Sequence, residues 1–523
     1  MPPSALIERG APAQAPAGAP ADEQRFGFDN DVDDLHLRLC VAGPFDRIRD
    51  ECGRGGLVAR FRLLLFHLAD GGELALRLPP AGGGFDRARD KLLGLVDDLQ
   101  ALRSGPGLDP PVIVRTDTRP ARERDLHALA ASVGDLRVDG DRVVATCRVD
   151  TRAKIPEDGM NDYLDARPDV GRVIDTVPAA RHRSRGRFRS TSAEETRPEE
   201  YAAPVLSLRE YDGAVVAPRQ VALHDHVVLA ESFRNPVRGR LRSRTLLDWS
   251  QHFIRTPDLP EPTPLRGRWF YLDNILRGHF GHVMTEQLSH VWGWEAARRR
   301  HPDLRALMFS WPEYPVAEWE LELLSAAGVP RDAITVLDAP VRVETLVATT
   351  PAYAIGQYVH PEIRPTYHRL GEALGAAAGR DGGHRAERVF LTRRSAKRSC
   401  HNAGTVEELF ERHGFRVVLP EQLPLPDQVD MVRSADVVAG FAGSAMFHLA
   451  LAERPTHAIV VASETYPAAN ERQICAFAGH SLDLVRCRSD IRTDGFSIEA
   501  FHSDYTFDAE REGALLSGWL DQL

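Results

Sequence analysis

The sequence predicts an α/β protein built around parallel sheets. Three observations carry this expectation. Across residues 388–523, short β-branched strands alternate with amphipathic helical stretches, the pattern of a sheet covered on both faces. Residues 269–378 repeat the alternation at wider spacing. Near the N-terminus, FRLLLFHLADGGELALRL reads as helix, Gly-Gly turn and strand. With 523 residues the chain is too long for one core, and at ~150 residues per domain it holds about three.

In chain order, residues 1–30 are rich in Ala, Pro and Gly and carry too little apolar content to fold. They are expected to be a disordered tail, with no basic and apolar run that would make a secretory signal. An N-terminal α/β subdomain is expected over 31–125, with a strand at Leu35–Val41, a helix at Arg60–Leu68 and the strand ELALRL after Asp70-Gly71-Gly72. A second domain is expected over 126–378. Its first part is strand-rich, with Asp139-Gly140 marking a hairpin. Then WFYLDN (269–274) reads as a buried strand and HFGHVMTEQLSHVWGWEAARRR (279–300) as one helix with a basic end. Strands at Ala306–Ser310 and Ile334–Leu337 and helices at Val316–Ala327 and Pro365–Ala378 follow. Beyond a polar linker at Gly379–Glu387, the third domain (388–523) has strands at 389–392, 415–419, 436–440, 457–461 and 482–485. Its helices are expected at 404–413, 426–434, 444–452 and 468–479.

Composition excludes several classes. A formal charge of −10 argues against a nucleic-acid binder, and no run of 18 apolar residues exists to cross a membrane. Six cysteines without a CxxC pair read as reduced thiols, so a cytoplasmic location is expected. All basic residues except Lys91, Lys154 and Lys397 are arginine, as a GC-rich coding sequence would give. Two arginine clusters, Arg181–Arg189 and Arg238–Arg244, read as solvated loops, the alternative being a docking surface for an anionic acceptor or at most peripheral membrane contact. Asp139-Gly140-Asp141 and Asp31-Val32-Asp33 both spell DxD, but a hairpin tip explains the first and the second adjoins the tail. No metal site and no cofactor are expected.

Two clusters carry chemistry. In parallel sheets ligands bind beyond the carboxyl ends of the strands. There stand Arg393 and Arg394, with Arg398 and Asn402 beyond them, and Gly443-Ser444 at the start of a helix. Arginine forks and helix-start amides make a diphosphate cradle that needs neither lysine nor metal. The other cluster is His279, His282, Glu286 and His290. Positions 282, 286 and 290 share one helical stripe, opposite Val283, Met284, Leu288 and Val291. A zinc site, a solvated polar face and a general base all fit this stripe; the zinc reading lacks HExxH spacing and a fourth ligand.

In this order, the two clusters resemble glycosyltransferase family 61. The segments that carry the resemblance are GHFGHVMTEQL (278–288), VFLTRRSAKRSCHNAGTVEEL (389–409) and LPEQLPLPDQVDMVRSADVVAGFAGSAMFHLAL (419–451), within a span from about Leu206 to Val461. The resemblance implies a GT-B pair of Rossmann-like domains and inverting transfer of a sugar from a nucleotide-sugar donor to a hydroxyl acceptor, on a glycan or small molecule, without a bound metal. It carries Arg393, Arg394, Arg398, Asn402, Glu421, Gln428, Gly443 and Ser444 over as donor-binding residues. His282 or Glu286 would be the base, with His279 and Asp273 behind them. The chain departs from the family at Ala403, Ala442 and His448. Those departures motivate an alternative, an inactive GT-B-like binding or scaffold protein. A third reading, an S-adenosylmethionine-dependent methyltransferase, rests on the helix–Gly-Gly–strand phrase, which resembles class I methyltransferases over about 35 residues; no glycine-rich loop accompanies it.

Overall fold

The computed structural model describes residues 4–10, 23–105, 121–237, 241, 243, 245–378, 387–394 and 397–523. The chain forms two compact units, Met1–Ile174 with Arg209–Arg268 and Ala339–Leu346, and Asp175–Leu208 with Trp269–Asp338 and Val347–Leu523. This corrects the expected boundaries near 125 and 387. The chain passes between the units several times, and local texture reports the type of an element, not the sheet it joins.

The first unit holds a six-stranded mixed sheet. Its strands are β1 (Ser4–Arg9), β2 (Glu23–Phe28), β3 (Phe45–Asp50), β4 (Leu68–Arg77), β5 (Val133–Asp139) and β6 (Arg142–Cys147), in the order β2-β1-β3-β4-β6-β5. Pairings from β2 to β4 are parallel, and β6 returns antiparallel. The first two strands correct the expected disordered tail. Ala5, Leu6 and Ile7 are buried with Phe26 and Phe28, so two short apolar runs inside a Pro-rich stretch supply enough surface to join a sheet. Residues 11–22 between them lie outside the described residues. Leu35–Val41, expected as a strand, belongs to the helix α1 (Val32–Ala42). Asp31 caps it, accepting from the amides of Asp33 and Asp34 at 3.0 Å each. Leu35 and Leu39, with His36 and Cys40, bury one helical face. The Asp31 cap is a stronger signal than the weak alternation of Leu35–Val41. The expected helix appears as α2 (Leu57–Phe66), with a buried pair between Arg60 Nε and Asp50 at 2.6 Å. Asp70-Gly71-Gly72 lies inside β4, where the register with β3 shifts, and does not form a separate turn. The Asp139-Gly140 hairpin is present, with φ = 58° at Gly140.

The second unit carries the predicted parallel sheet. Its strand order is Phe188–Ser190, Ser481–Ser489, His457–Ser463, Val437–Phe441, Arg388–Leu391 and Arg416–Val418, every neighbouring pair parallel. Helices Ala403–Arg412, Leu425–Ser434 and Ala469–Ala478 connect them as expected, while Ser444–Leu451 is a 3₁₀ helix. Phe390, Phe410, Phe441, Ile459 and Val461 lie in the core on one face. Strand Phe188–Ser190 was not anticipated. The first arginine cluster is largely solvated as expected, Arg181, Arg183, Arg185 and Arg187 being exposed and Arg181 paired with Glu200 at 2.7 Å. It lies partly on strands, however, and Arg189 pairs with Asp483 and covers the Trp519 ring at 3.9 Å. Most of the second cluster, and the linker at 379–386, lie outside the described residues. In the same unit, parallel strand pairings join Trp269–Tyr271, Arg305–Phe309 and Ile334–Leu337, and helices Glu318–Ala326 and Arg364–Ala377 pack against each other. Among the described residues no helix is long and apolar enough to cross a membrane.

Candidate functional site

The sheet of the second unit has a switch point. From strand Arg388–Leu391 the chain crosses to Arg416–Val418 on one side, then to Val437–Phe441 on the other. The two connections leave in opposite directions, which opens a crevice at the carboxyl ends of the two central strands. Arg393 leaves the first strand there. Its Nη1 donates to the Ala442 carbonyl at 2.7 Å and its Nη2 to the Lys397 carbonyl at 3.1 Å, tying both strand ends together. A Cβ on Gly440 would come within 2.7 Å of the Leu391 carbonyl, and Gly443 has φ = 146°, so both glycines are required by the backbone.

Arg398 adopts φ = 54° and stands over the rings of Tyr466 at 4.4 Å and Phe501 at 5.2 Å. Its Nε is buried and has no hydrogen-bond partner among the described residues. Burial, and then the neighbouring Arg398 charge, lower the Arg393 pKa from its ordinary value. Two guanidinium groups held this close create a local excess of positive charge.

The histidine segment is not the single regular helix expected. Phe280–His282 is one short α turn, Val283–Gln287 a π turn and Leu288–Gly293 a 3₁₀ turn. The wider turn keeps His282 and Glu286 together but sends His290 elsewhere. His282 Nδ1–H donates to Glu286 Oε1 at 3.0 Å, a direction fixed because the carboxylate can only accept. His290 Nδ1 instead meets the Thr349 carbonyl at 3.0 Å. This corrects the three-residue stripe: one inserted residue per turn rotates everything beyond it, and π turns leave little trace in local sequence. The expected apolar face is present, with Val283, Met284, Leu288 and Val291 buried.

The two clusters meet. A Cβ on Gly281 would lie 2.7 Å from the Phe447 ring and 3.0 Å from Ser444 Cβ, so only glycine lets this turn rest on the Ser444 helix. The Phe280 ring stacks on His448 at 4.6 Å. Burial, with the charges of His282 and Arg398, lowers the His279 pKa to about 4, leaving it neutral at neutral pH.

Several expected site residues are committed elsewhere. Arg394 turns to Glu407 at 2.7 Å and is largely exposed. Asn402 exchanges hydrogen bonds with the Phe507 backbone. Gln428 donates to the Leu423 carbonyl, and Asp273 accepts from the Phe309 amide within electrostatic reach of buried Arg277. Glu421 is exposed, within the field of Arg393. The Gly443 amide, expected to face a phosphate, donates to Glu471 Oε1 at 2.9 Å. Glu471 is the residue that sequence reasoning missed. It is fully buried, also accepts from Tyr466 OH at 3.2 Å, and burial raises its pKa. A glutamate inside an amphipathic helix gives no local sign of this role.

Buried histidines here make the fold acid-sensitive. Burial lowers the His448 pKa to about 4, as it does for His279. The unfolded chain then binds more protons between pH 6.5 and 4, so stability falls as pH drops through that window. His448 alone accounts for about 3 kcal/mol across it. Urea midpoints measured from pH 7.5 to 4.5 should decline, and less steeply in His448→Gln; parallel declines would count against this assignment.

Parallel sheet, switch-point crevice, paired arginines and a histidine–glutamate couple define an α/β protein whose second unit brings two guanidinium groups and a histidine–carboxylate pair to the same edge. Residues 280–459, about a third of the chain, match the family model Glycosyltransferase 61. That match supports sugar transfer as the general reaction class. No curated protein matches the chain. Among solved structures, it is similar to the MycE methyltransferase from the mycinamycin biosynthetic pathway in complex with Mg and SAH. In one crystal form the identity is 12% and the TM-score 0.21, covering 28% of this chain and 46% of that one. The complex that also contains mycinamycin VI gives 13%, 0.20, 28% and 45%. The similarity spans less than half the length of those chains and identifies neither fold nor activity.

Proposed function

We propose that the chain is an inverting glycosyltransferase that moves a sugar from a nucleotide-sugar donor to a hydroxyl acceptor. The observation that carries this reading is the meeting of the histidine–glutamate turn with the arginine-lined switch point in one unit. In this reading Arg393 and Arg398 face the donor diphosphate. As the sugar–phosphate bond breaks, negative charge grows on the leaving group, and two fixed guanidinium groups stabilise it without reorganisation. His282, its Nδ1–H held by Glu286, presents Nε2 to the acceptor hydroxyl and takes its proton as the new bond forms. His279 is neutral and lines the same edge. No step is assigned to a metal. The parallel strands of residues 269–337 and 388–489 support a GT-B type pair, with the acceptor side first and the donor side second. The acceptor class is a glycan or glycosylated small molecule.

One observation favours a second reading, a nucleotide-sugar-binding protein without turnover: the Gly443 amide is taken by Glu471 and Arg394 by Glu407, leaving fewer donors for a diphosphate. Acceptor-free hydrolysis of a panel of nucleotide sugars separates the two. Slow release of sugar with inverted anomeric configuration by NMR is expected for at least one donor. Calorimetric binding without any hydrolysis or transfer would favour the second reading, and neither binding nor turnover would overturn both.

A further inference from the structure

The first unit contains a side-chain cluster that the transfer reaction does not use. Helix α1 presents His36 and Cys40 one turn apart on its buried face, and His67 follows the last residue of α2. All three are buried, and one ligand atom from each lies within 4.8 Å of the others. His36 Nδ1 stands 3.0 Å from His67 Nε2 and 3.9 Å from Cys40 Sγ. Around a tetrahedral zinc ion, bond lengths of about 2.05 Å to nitrogen and 2.3 Å to sulfur separate donor atoms by about 3.3 Å and 3.6 Å. The two His36 Nδ1 separations lie within a few tenths of an ångström of these values, and the whole cluster spans no more than 4.8 Å. Cys40 Sγ, 3.5 Å from His36 Nε2, would turn toward Nδ1 to ligate.

We propose that His36 Nδ1, Cys40 Sγ and His67 Nε2 form a structural site for one divalent transition-metal ion of the zinc type. The donor set selects the metal: two imidazoles and a thiolate suit zinc or cobalt, whereas magnesium and calcium take oxygen ligands. The surroundings orient the ligands. His36 Nε2–H is committed to the Lys154 carbonyl at 2.9 Å, which leaves Nδ1 as the metal-facing atom. His226 Nε2 meets the Cys40 carbonyl at 2.9 Å, and the His252 ring lies 4.7 Å from that of His36 with its own Nε2 on Asp33. The Lys154 ammonium is neutralised by Asp248 at 2.7 Å. A proton shared between His36 and His67 would satisfy those two nitrogens without a metal. It would leave the Cys40 thiol with only the His36 ring nitrogens as partners among the described residues. On binding, the thiol loses its proton to solvent and sulfur ligates the ion as thiolate. The ion would tie α1 to the end of α2 and stands apart from the transfer chemistry.

The test uses the full chain, freed of any histidine tag and stripped with chelator, then titrated with Co²⁺. Uptake of one equivalent with a thiolate-to-cobalt charge-transfer band is expected. Cys40→Ser should abolish the band, His67→Gln should weaken uptake at least tenfold, and Cys52→Ser should change neither. X-ray absorption on the zinc-loaded wild type should show one sulfur and two imidazole nitrogens, which decides the matter even if a variant fails to fold. No stoichiometric uptake by the wild type, a shell without sulfur, or a band that survives Cys40→Ser would each overturn the site.

Discussion

His282→Ala is expected to lower the rate of sugar transfer by about 10²–10⁴-fold while leaving donor affinity close to that of the wild type. His282 is partly exposed, so it can meet an acceptor, and its Nδ1 is fixed at 3.0 Å from Glu286. That bond selects the tautomer with a lone pair on Nε2 and strengthens as the ring gains a proton. Glu286→Gln keeps a hydrogen-bond partner but removes the negative charge that steadies the imidazolium. A smaller loss, about tenfold, is expected there. Both are assigned to the acceptor and not to the donor diphosphate, so calorimetry with donor alone should be nearly unchanged in both. The assignment fails if both proteins remain folded and turn over at near wild-type rates. His279 would then be the next group to examine, although a pKa of about 4 makes it a weak base.

Much of the site was legible because it sits on a repeating element. Arg393 and Gly443 occupy strand ends, and strand ends in a parallel sheet can be found from β-branched runs alone. What those residues do when they arrive was less legible. Arg394 adjoins Arg393 and has the same chemistry, yet it leaves the strand end on the opposite side and meets Glu407. Glu471 lies 28 positions beyond Gly443 and reaches its amide only through the fold. The His282–Glu286 pair was recoverable from i, i+4 spacing, but His290 was not, because a π turn intervenes and has no local code. In the first unit the error at Leu35–Val41 had a wider consequence. Read as a strand, that segment would place His36 and Cys40 about 13 Å apart. Capped by Asp31 and wound as a helix, it brings them together, and His67 joins from an element that only tertiary structure supplies.

Arg398→Ala should show the other large effect, a fall of about 10²–10³-fold in transfer together with weaker donor binding. Three features distinguish this arginine from its neighbours. Its backbone sits at φ = 54°, its guanidinium is held over Tyr466 and Phe501, and its buried Nε lacks a partner among the described residues. A charge positioned this firmly, with hydrogen-bonding capacity unspent, suits a leaving diphosphate whose charge appears only as the bond breaks. Arg398→Lys should not restore the rate, since an ammonium on a flexible stem neither lies flat on both rings nor offers a two-pronged donor. Arg393→Ala should act differently, because Arg393 also ties the Ala442 and Lys397 carbonyls together. Weaker donor binding and a lower melting temperature are expected from it at once. Arg394→Ala provides the control: its exposed pair with Glu407 contributes about 0–1 kcal/mol to stability, and donor affinity should stay unchanged. If Arg394→Ala weakens donor binding as much as Arg398→Ala, the cation serving the diphosphate has been misassigned. If Arg398→Ala leaves both binding and turnover intact, the switch point is not where the donor sits.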